Sequence, residues 1–143
     1  MKTSSTMIRQ KIRVRGWKVW VYYAVHEYYA EEIMENLRYI GISEREAQRA
    51  TNNLCSGKQN TGLTYANKHM AVMVIGLASS AAQYANSISH ETHHLAVFIA
   101  KHEGIPLDSE EVCYLSGEIA EKLHPVAKVL TSECGCYDEL LRD

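Results

Sequence analysis

The chain has 143 residues, a formal net charge of -2 at pH 7 and 46% apolar residues. These values are typical of a folded globular domain and exclude a disordered or fibrous chain. We expect one domain over residues 1–143, with flexible ends at 1–10 and 132–143. No apolar run approaches the roughly 18 residues of a membrane span, and no secretory signal is evident. We therefore expect a cytoplasmic protein with reduced cysteines.

The first predicted element is a strand in KIRVRGWKVWVYYAV, where apolar and polar residues alternate and Gly16 could interrupt the pattern. This part of the chain is also basic. Six cationic residues precede the first acidic one, Glu27: Lys2, Arg9, Lys11, Arg13, Arg15 and Lys18. A basic strand could contact nucleic acid, but Arg13 and Arg15 alternate with apolar neighbours as the solvated face of a strand does. Nucleic-acid binding is therefore the less favoured interpretation.

Two helices are predicted next. The segment EYYAEEIMENLRYIGI has apolar residues at helical spacing and reaches Gly41, which is typical of a helix end. The following segment, SEREAQRATNNLCSG, opens with Ser43 and Glu46 in the positions of a capping box and closes at Gly57. Both segments are therefore predicted to be helical along most of their length.

The second half of the chain predicts a hairpin and two more helices. Residues 62–76 favour two strands, of which the second, MAVMVIG, is apolar enough to lie inside a sheet. A long helix is expected from Ser79 or Ser80 to Gly104. The last helix, DSEEVCYLSGEIAEKL, is expected to end or kink near Pro125. This order of elements predicts an α+β domain, with a small antiparallel or mixed sheet packed against helices.

The segment SISHETHHLAVF places the pattern H-E-x-x-H inside the long helix, at His90, Glu91 and His94. A helix turns by about 100° per residue, so the two histidines lie about 40° apart on adjacent turns and can reach one ion. Zinc suits two imidazoles because it accepts nitrogen ligands in a tetrahedral site, and Glu91 can accept a proton from a bound water. The core side of the helix, at Leu95 and Ile99, is separate from this face. The alternative is that these are ordinary polar residues on an exposed helix.

A catalytic zinc site usually has three protein ligands, so a third one is sought on the next helix. The apolar stripe of that helix, centred on Val112, has an edge of small residues at which another helix could approach closely. Glu110 lies nearest to that edge. We predict Glu110 as the third ligand, with Glu118 or Glu111 as the next choices and no carboxylate ligand as the remaining alternative.

The motif helix, the glycine turn EGIPL and a second helix that opens SEEVCYL together resemble the glutamate-zincin metallopeptidases. The arrangement is similar, over roughly residues 60–122, to the short single-domain zincin-like proteins of phages and bacterial mobile elements. The resemblance implies a zincin-like fold with the motif on a central helix. It also implies four site residues by position: His90, His94 and Glu110 as ligands of Zn²⁺, and Glu91 as general base. The second helix departs from the family pattern in having Ser109 before the ligand position and Tyr114 four residues after it.

The expected function is that of a small zinc metallopeptidase, which hydrolyses a peptide bond of an intracellular protein or peptide by means of a zinc-activated water. Four side chains are candidate donors to the oxyanion, and the first is taken as catalytic: Tyr114, Tyr65, His69 and His124. The MAVMVIG strand could hold an extended peptide along a free edge, or it could be buried without one.

Other hypotheses remain open at this point. A non-catalytic zinc-binding accessory or interaction protein of a phage or mobile element would use the metal only to join two helices, although such a site has no use for Glu91. A nucleic-acid-binding domain would show strongly salt-dependent binding through its basic strand. Cys134 and Cys136 could join His124 at a metal, but one residue between cysteines matches none of the usual zinc spacings. The sequence makes no prediction of the oligomeric state.

Overall fold

The computed structural model describes residues 8–25, 30–54 and 62–132, which contain four strands and four helices. The strands are β1 (Ile8–Val14), β2 (Trp17–Val25), β3 (Leu63–Asn67) and β4 (Met70–Gly76). The helices are α1 (Ala30–Ile40), α2 (Glu44–Leu54), α3 (Ala81–Glu103) and α4 (Glu110–Leu130). None of these four helices combines the length and the apolar character that crossing a membrane requires.

The four strands form one mixed sheet in the order β1-β2-β4-β3. The pairs β1-β2 and β3-β4 are antiparallel, whereas β2 and β4 run parallel. The predicted α+β class with a small mixed sheet is therefore confirmed. Of the two alternatives for MAVMVIG, the buried strand is the one found, because β4 lies inside the sheet and β3 forms its edge.

Both hairpins turn through two residues with positive φ. Arg15 and Gly16 have φ values of 48° and 87°, and Lys68 and His69 have values of 54° and 64°. Two-residue turns of this kind match the right-handed twist of the strands that they join. The interruption expected at Gly16 is thus a tight turn, and the single N-terminal strand of the prediction is a hairpin.

Helices cover both faces of the sheet. β2 and β4 carry mainly apolar side chains on both of these faces, and the helices bury them. The core on one face joins the sheet to α3 and α4, and it includes Val19, Val21, Met73, Leu95 and Ile119. The core on the other face joins the sheet to α1 and α2, and it includes Tyr22, Val72, Val74, Leu37 and Ala50. Within the first layer, α3 contacts β3 and β4 while α4 contacts β1. One side of α3 is therefore held beside the edge strand β3.

The helix ends follow the capping residues of the sequence. Ser43 and Glu46 exchange hydrogen bonds as a capping box at the start of α2. The side chains of Ser80 and Ser109 accept hydrogen bonds from backbone N–H groups at the starts of α3 and α4, and Gly104 ends α3 with a φ of 76°. The predicted limits of the long helix are therefore confirmed.

Of the two expectations for Pro125, an end or a kink of the last helix, the end is wrong, since α4 continues to Leu130. A proline removes one backbone hydrogen bond, but Leu123 and Leu130 are both fully buried on the same apolar stripe. Their burial favours the continued helix. Of the ends expected to be flexible, residues 8–10 belong to β1, whereas residues 1–7 and 133–143 lie outside the described residues, as does Gly57.

Candidate metal centre

His90 and His94 lie one turn apart on α3, on the side of the helix that faces β3. Both side chains are exposed, and their Nε2 atoms are 3.2 Å apart. Two nitrogens bound to one tetrahedral zinc at about 2.0–2.1 Å would be separated by roughly 3.4 Å. The same separation also allows a hydrogen bond when one of the two nitrogens carries a proton. The pair therefore has the spacing that a shared ion requires.

Glu91 points from the same turn of α3 into the protein and is only 5% exposed. Its Oε1 atom accepts a hydrogen bond of 2.7 Å from the hydroxyl of Thr64, which is a buried residue of β3. Burial raises the pKa of the Glu91 carboxyl, while the hydrogen bond from Thr64 and the two neighbouring histidines oppose that increase. The edge strand thus fixes the position of this carboxylate.

A cavity of about 290 Å³ lies between α3 and β3 and contains the three motif residues. Its lining consists of Asn53, Gly62, Leu63, Thr64, Tyr65, His90, Glu91, His94 and Phe98. A Cβ atom on Gly62 would lie 2.6 Å from the backbone oxygen of Val74 and 2.9 Å from Oε2 of Glu91, so only glycine fits there. The wall of the cavity is therefore in close contact with the Glu91 carboxylate.

Asn53 connects the end of α2 to this cavity. Its Nδ2 atom donates a hydrogen bond of 3.0 Å to the backbone oxygen of Gly62. Its Oδ1 atom is buried and accepts no hydrogen bond from the described residues. A buried acceptor of this kind is uncommon.

The structure does not bring Glu110 together with the two histidines. Glu110 begins α4 beside the end of α3, and His94 lies nine residues before that end, or about 13 Å along the helix axis. The side of α3 that faces α4 carries Thr92 and His93 instead. Within residues 8–25, 30–54 and 62–132, no group of three close ligand side chains contains His90 and His94. The assignment of Glu110 as third ligand therefore receives no support.

The other α4 candidates are also turned away from the cavity. Arg15 forms ion pairs of 3.0 Å with Glu111 and 2.8 Å with Glu118, and its hydrogen bonds hold the pKa of the Glu118 carboxyl below its usual range. Tyr114 is 63% exposed and does not line the cavity. α4 therefore forms its ion pairs with the turn between β1 and β2. The site residues predicted on α4 do not contact the histidine pair.

Among the remaining candidate donors, Tyr65 is the one that lines the cavity. Burial raises the pKa of its hydroxyl, which keeps the group protonated and able to donate. His124 is exposed on α4, outside this cavity. Cys134 and Cys136 lie outside the described residues. The sequence named Tyr65 without a way to rank it, because its position beside α3 depends on the pairing of β3 with β4.

A second cluster, which the sequence did not predict, lies at the far end of α3. One ligand atom from each of His69, His102 and Glu103 falls within 4.8 Å of the other two, so this cluster could hold a metal ion. It is the one group of three such side chains found in the described part of the chain. Thirty-three positions separate His69 from His102, and only the fold brings them together.

Comparison of the chain with protein-family models, with curated proteins and with solved structures gives no significant match. The functional interpretation therefore depends on the geometry of the site.

Proposed function

We propose that the chain is a zinc-dependent peptidase in which His90 and His94 bind the metal and Glu91 is the general base. The proposal rests on the 3.2 Å between the two Nε2 atoms, which is close to the roughly 3.4 Å expected for two nitrogens on one tetrahedral zinc. The cavity beside the pair gives space for an ion and a substrate group. A zincin-like fold belongs to the same proposal.

A zinc ion at this position would supply a Lewis acid that acidifies water and polarises a carbonyl group. Glu91 has the complementary role of accepting a proton from the attacking water and delivering it to the leaving amine. Its carboxylate lies outside any group of three metal ligands among the described residues and is held by Thr64 instead. This arrangement suits a base better than a ligand.

The edge strand β3 is the proposed binding site for an extended peptide. Within the part of the chain that the structure describes, β3 pairs with β4 along one side only, and addition of a strand to a sheet edge is a common way to hold a peptide. Thr64 and Tyr65 of β3 line the cavity, so a peptide beside them would pass close to the histidine pair. The hydroxyl of Tyr65, which lines the same cavity, could then hydrogen-bond to that peptide.

One observation favours the non-catalytic alternative, in which the chain is a zinc-binding accessory protein. Within the ranges that the structure describes, the histidine pair lacks a third side-chain ligand, whereas catalytic zinc sites normally have three. The buried carboxylate of Glu91 beside the pair supports catalysis, since a site that only binds metal has no need of it. The two functions differ in what happens when Glu91 is replaced.

The test is proteolysis of casein and of a peptide library by zinc-loaded protein. Glu91→Gln should lower the turnover by about 10²–10⁴-fold, because a general base contributes a factor of that size, while zinc binding is retained. His93→Ala, at an exposed position on another side of the same helix, is the matched control and should behave as wild type. Absence of turnover in the wild type, with zinc bound, would support the accessory protein instead.

A further inference from the structure

We propose that His69, His102 and Glu103 form a second metal site, which binds a divalent transition-metal ion of the zinc and nickel class. This site, called here the turn site, is separate from the His90–His94 pair, because His102 lies eight residues beyond His94 on α3, or about 12 Å along the axis. The proposal does not depend on peptidase activity.

The donor atoms of the turn site are already close together. Nε2 of His69 lies 3.5 Å from Oε2 of Glu103, which is near the roughly 3.4 Å expected between two ligands of a tetrahedral zinc. The rings of His69 and His102 have centroids 4.6 Å apart. All three donors lie within 4.8 Å of one another. Because the three side chains are exposed, small rotations can bring them around an ion.

The chemical nature of the ligands selects the class of ion. Two imidazoles with one carboxylate suit zinc, nickel or copper, whereas calcium and magnesium prefer oxygen ligands alone. The site also lies at the C-terminal end of α3, where the helix dipole favours a positive charge. An ion bound here would leave coordination positions for water.

Trp17 contacts all three ligand residues of the turn site and is only 2% exposed. Its Nε1 atom donates a hydrogen bond of 3.2 Å to Oε2 of Glu103. Its ring also contacts the rings of His69 and His102, with centroid distances of 4.9 and 5.3 Å. A donor that orients a carboxylate ligand is a regular feature of metal sites. Trp17 therefore both positions the site and places a fluorophore next to it.

A metal at the turn site would connect two elements that are far apart in sequence. His69 belongs to the two-residue turn between β3 and β4, whereas His102 and Glu103 belong to the last turn of α3. Binding would therefore hold the β3-β4 hairpin against the end of α3. Since the ion binds the folded state, it should also raise the melting temperature.

The experiment uses full-length protein with His90→Ala and His94→Ala, which removes the first site, and with Trp20→Phe, which leaves Trp17 as the single tryptophan. Addition of Ni²⁺ should quench the Trp17 emission and reach saturation at one equivalent, and Zn²⁺ should raise the melting temperature. Adding His102→Ala should weaken Ni²⁺ binding by at least about tenfold, given the effect of even outer-shell changes at metal sites.

A second variant controls for damage to the fold. His69→Asn removes the imidazole but keeps a residue that tolerates the positive φ at this position, and it should weaken Ni²⁺ binding to the same extent. His93→Ala, outside the cluster, should not. Unchanged Ni²⁺ quenching in both the His102→Ala and His69→Asn proteins, or no saturable quenching in the parent, would overturn the proposal.

Discussion

The hydroxyl of Thr64 lies 2.7 Å from the carboxylate of Glu91, and both side chains are buried. This hydrogen bond joins the edge strand β3 to the turn of α3 that carries the two histidines. The strand therefore determines where the carboxylate stands relative to His90 and His94. Any change that moves β3 should act on the proposed general base.

Thr64→Val tests the contribution of the hydroxyl group while the shape of the side chain is kept. Valine keeps the volume but leaves the buried carboxylate of Glu91 without its donor, which should cost about 1–3 kcal/mol in the free energy of unfolding and lower any peptidase activity. Thr64→Ser keeps the donor and is the matched control. Urea denaturation of both proteins measures the difference. Equal loss of stability in the two variants would mean that the hydrogen bond is unimportant.

Glu91→Gln should stabilise the metal-free protein at neutral pH. Burial raises the pKa of Glu91, so the folded state binds this proton more tightly than the unfolded state, and the free energy of unfolding falls as the pH rises through the raised pKa. Glutamine does not ionise and avoids this loss. The advantage of the variant should therefore shrink as the pH is lowered below the usual range of a glutamate.

Denaturation curves between pH 4 and pH 8 measure this effect, with Glu121→Gln, an exposed position of α4, as the control. A Glu91→Gln protein that is less stable than wild type at every pH would contradict the account of the carboxylate.

Gly62→Ala and Gly117→Ala should have opposite effects. At Gly62 a Cβ atom would meet the backbone oxygen of Val74 and the carboxylate of Glu91, which should cost about 1–3 kcal/mol as overpacking does and displace the base. At Gly117, in the middle of α4, a Cβ atom meets nothing within 4 Å, and alanine should add about 1 kcal/mol through its helix propensity. Thermal unfolding compares the two. Tolerance of alanine at Gly62 would show that β3 can move away from Glu91.

The carboxylates of α4 should be dispensable for zinc binding at the histidine pair. Glu110 begins α4 beside the end of α3, roughly 20 Å along the helix axis from His90, and Glu118 is paired with Arg15. Glu110→Gln and Glu118→Gln should therefore keep the zinc affinity of wild type in a competition titration. Glu118→Gln should lower the free energy of unfolding by only about 0.2–1 kcal/mol, since its ion pair is partly exposed. A tenfold loss of zinc affinity in Glu110→Gln would mean that Glu110 is a zinc ligand.

The sequence was sufficient for features that depend on local spacing. The capping box at Ser43, the start of α3 at one of two neighbouring serines, Ser79 or Ser80, and the glycine end at Gly104 were predicted, because a capping residue acts on backbone groups within three or four positions. The H-E-x-x-H pattern likewise brings two side chains together on one helix. The exposure of the histidines and the burial of Leu95 follow from the same periodicity.

The sequence was insufficient where the arrangement depends on pairing between distant segments. Placing Glu110 near the motif assumed that the histidine face of α3 turns towards α4. In the structure that face turns towards β3, because β3 is the edge of the sheet and α3 packs over it. Neither the order of the strands nor the partner of Glu91, Thr64, can be derived from residue spacing. The turn site escaped prediction for the same reason.

Zinc binding by His90 and His94 is best measured as the zinc content of purified protein from which the turn site has been removed. We compare a protein carrying His69→Asn and His102→Ala with one that also carries His90→Ala and His94→Ala, each dialysed against zinc and then against buffer. The second protein should bind one equivalent of zinc less than the first, whereas His93→Ala in the first should change nothing. Equal zinc in the two proteins would mean that His90 and His94 do not bind the metal.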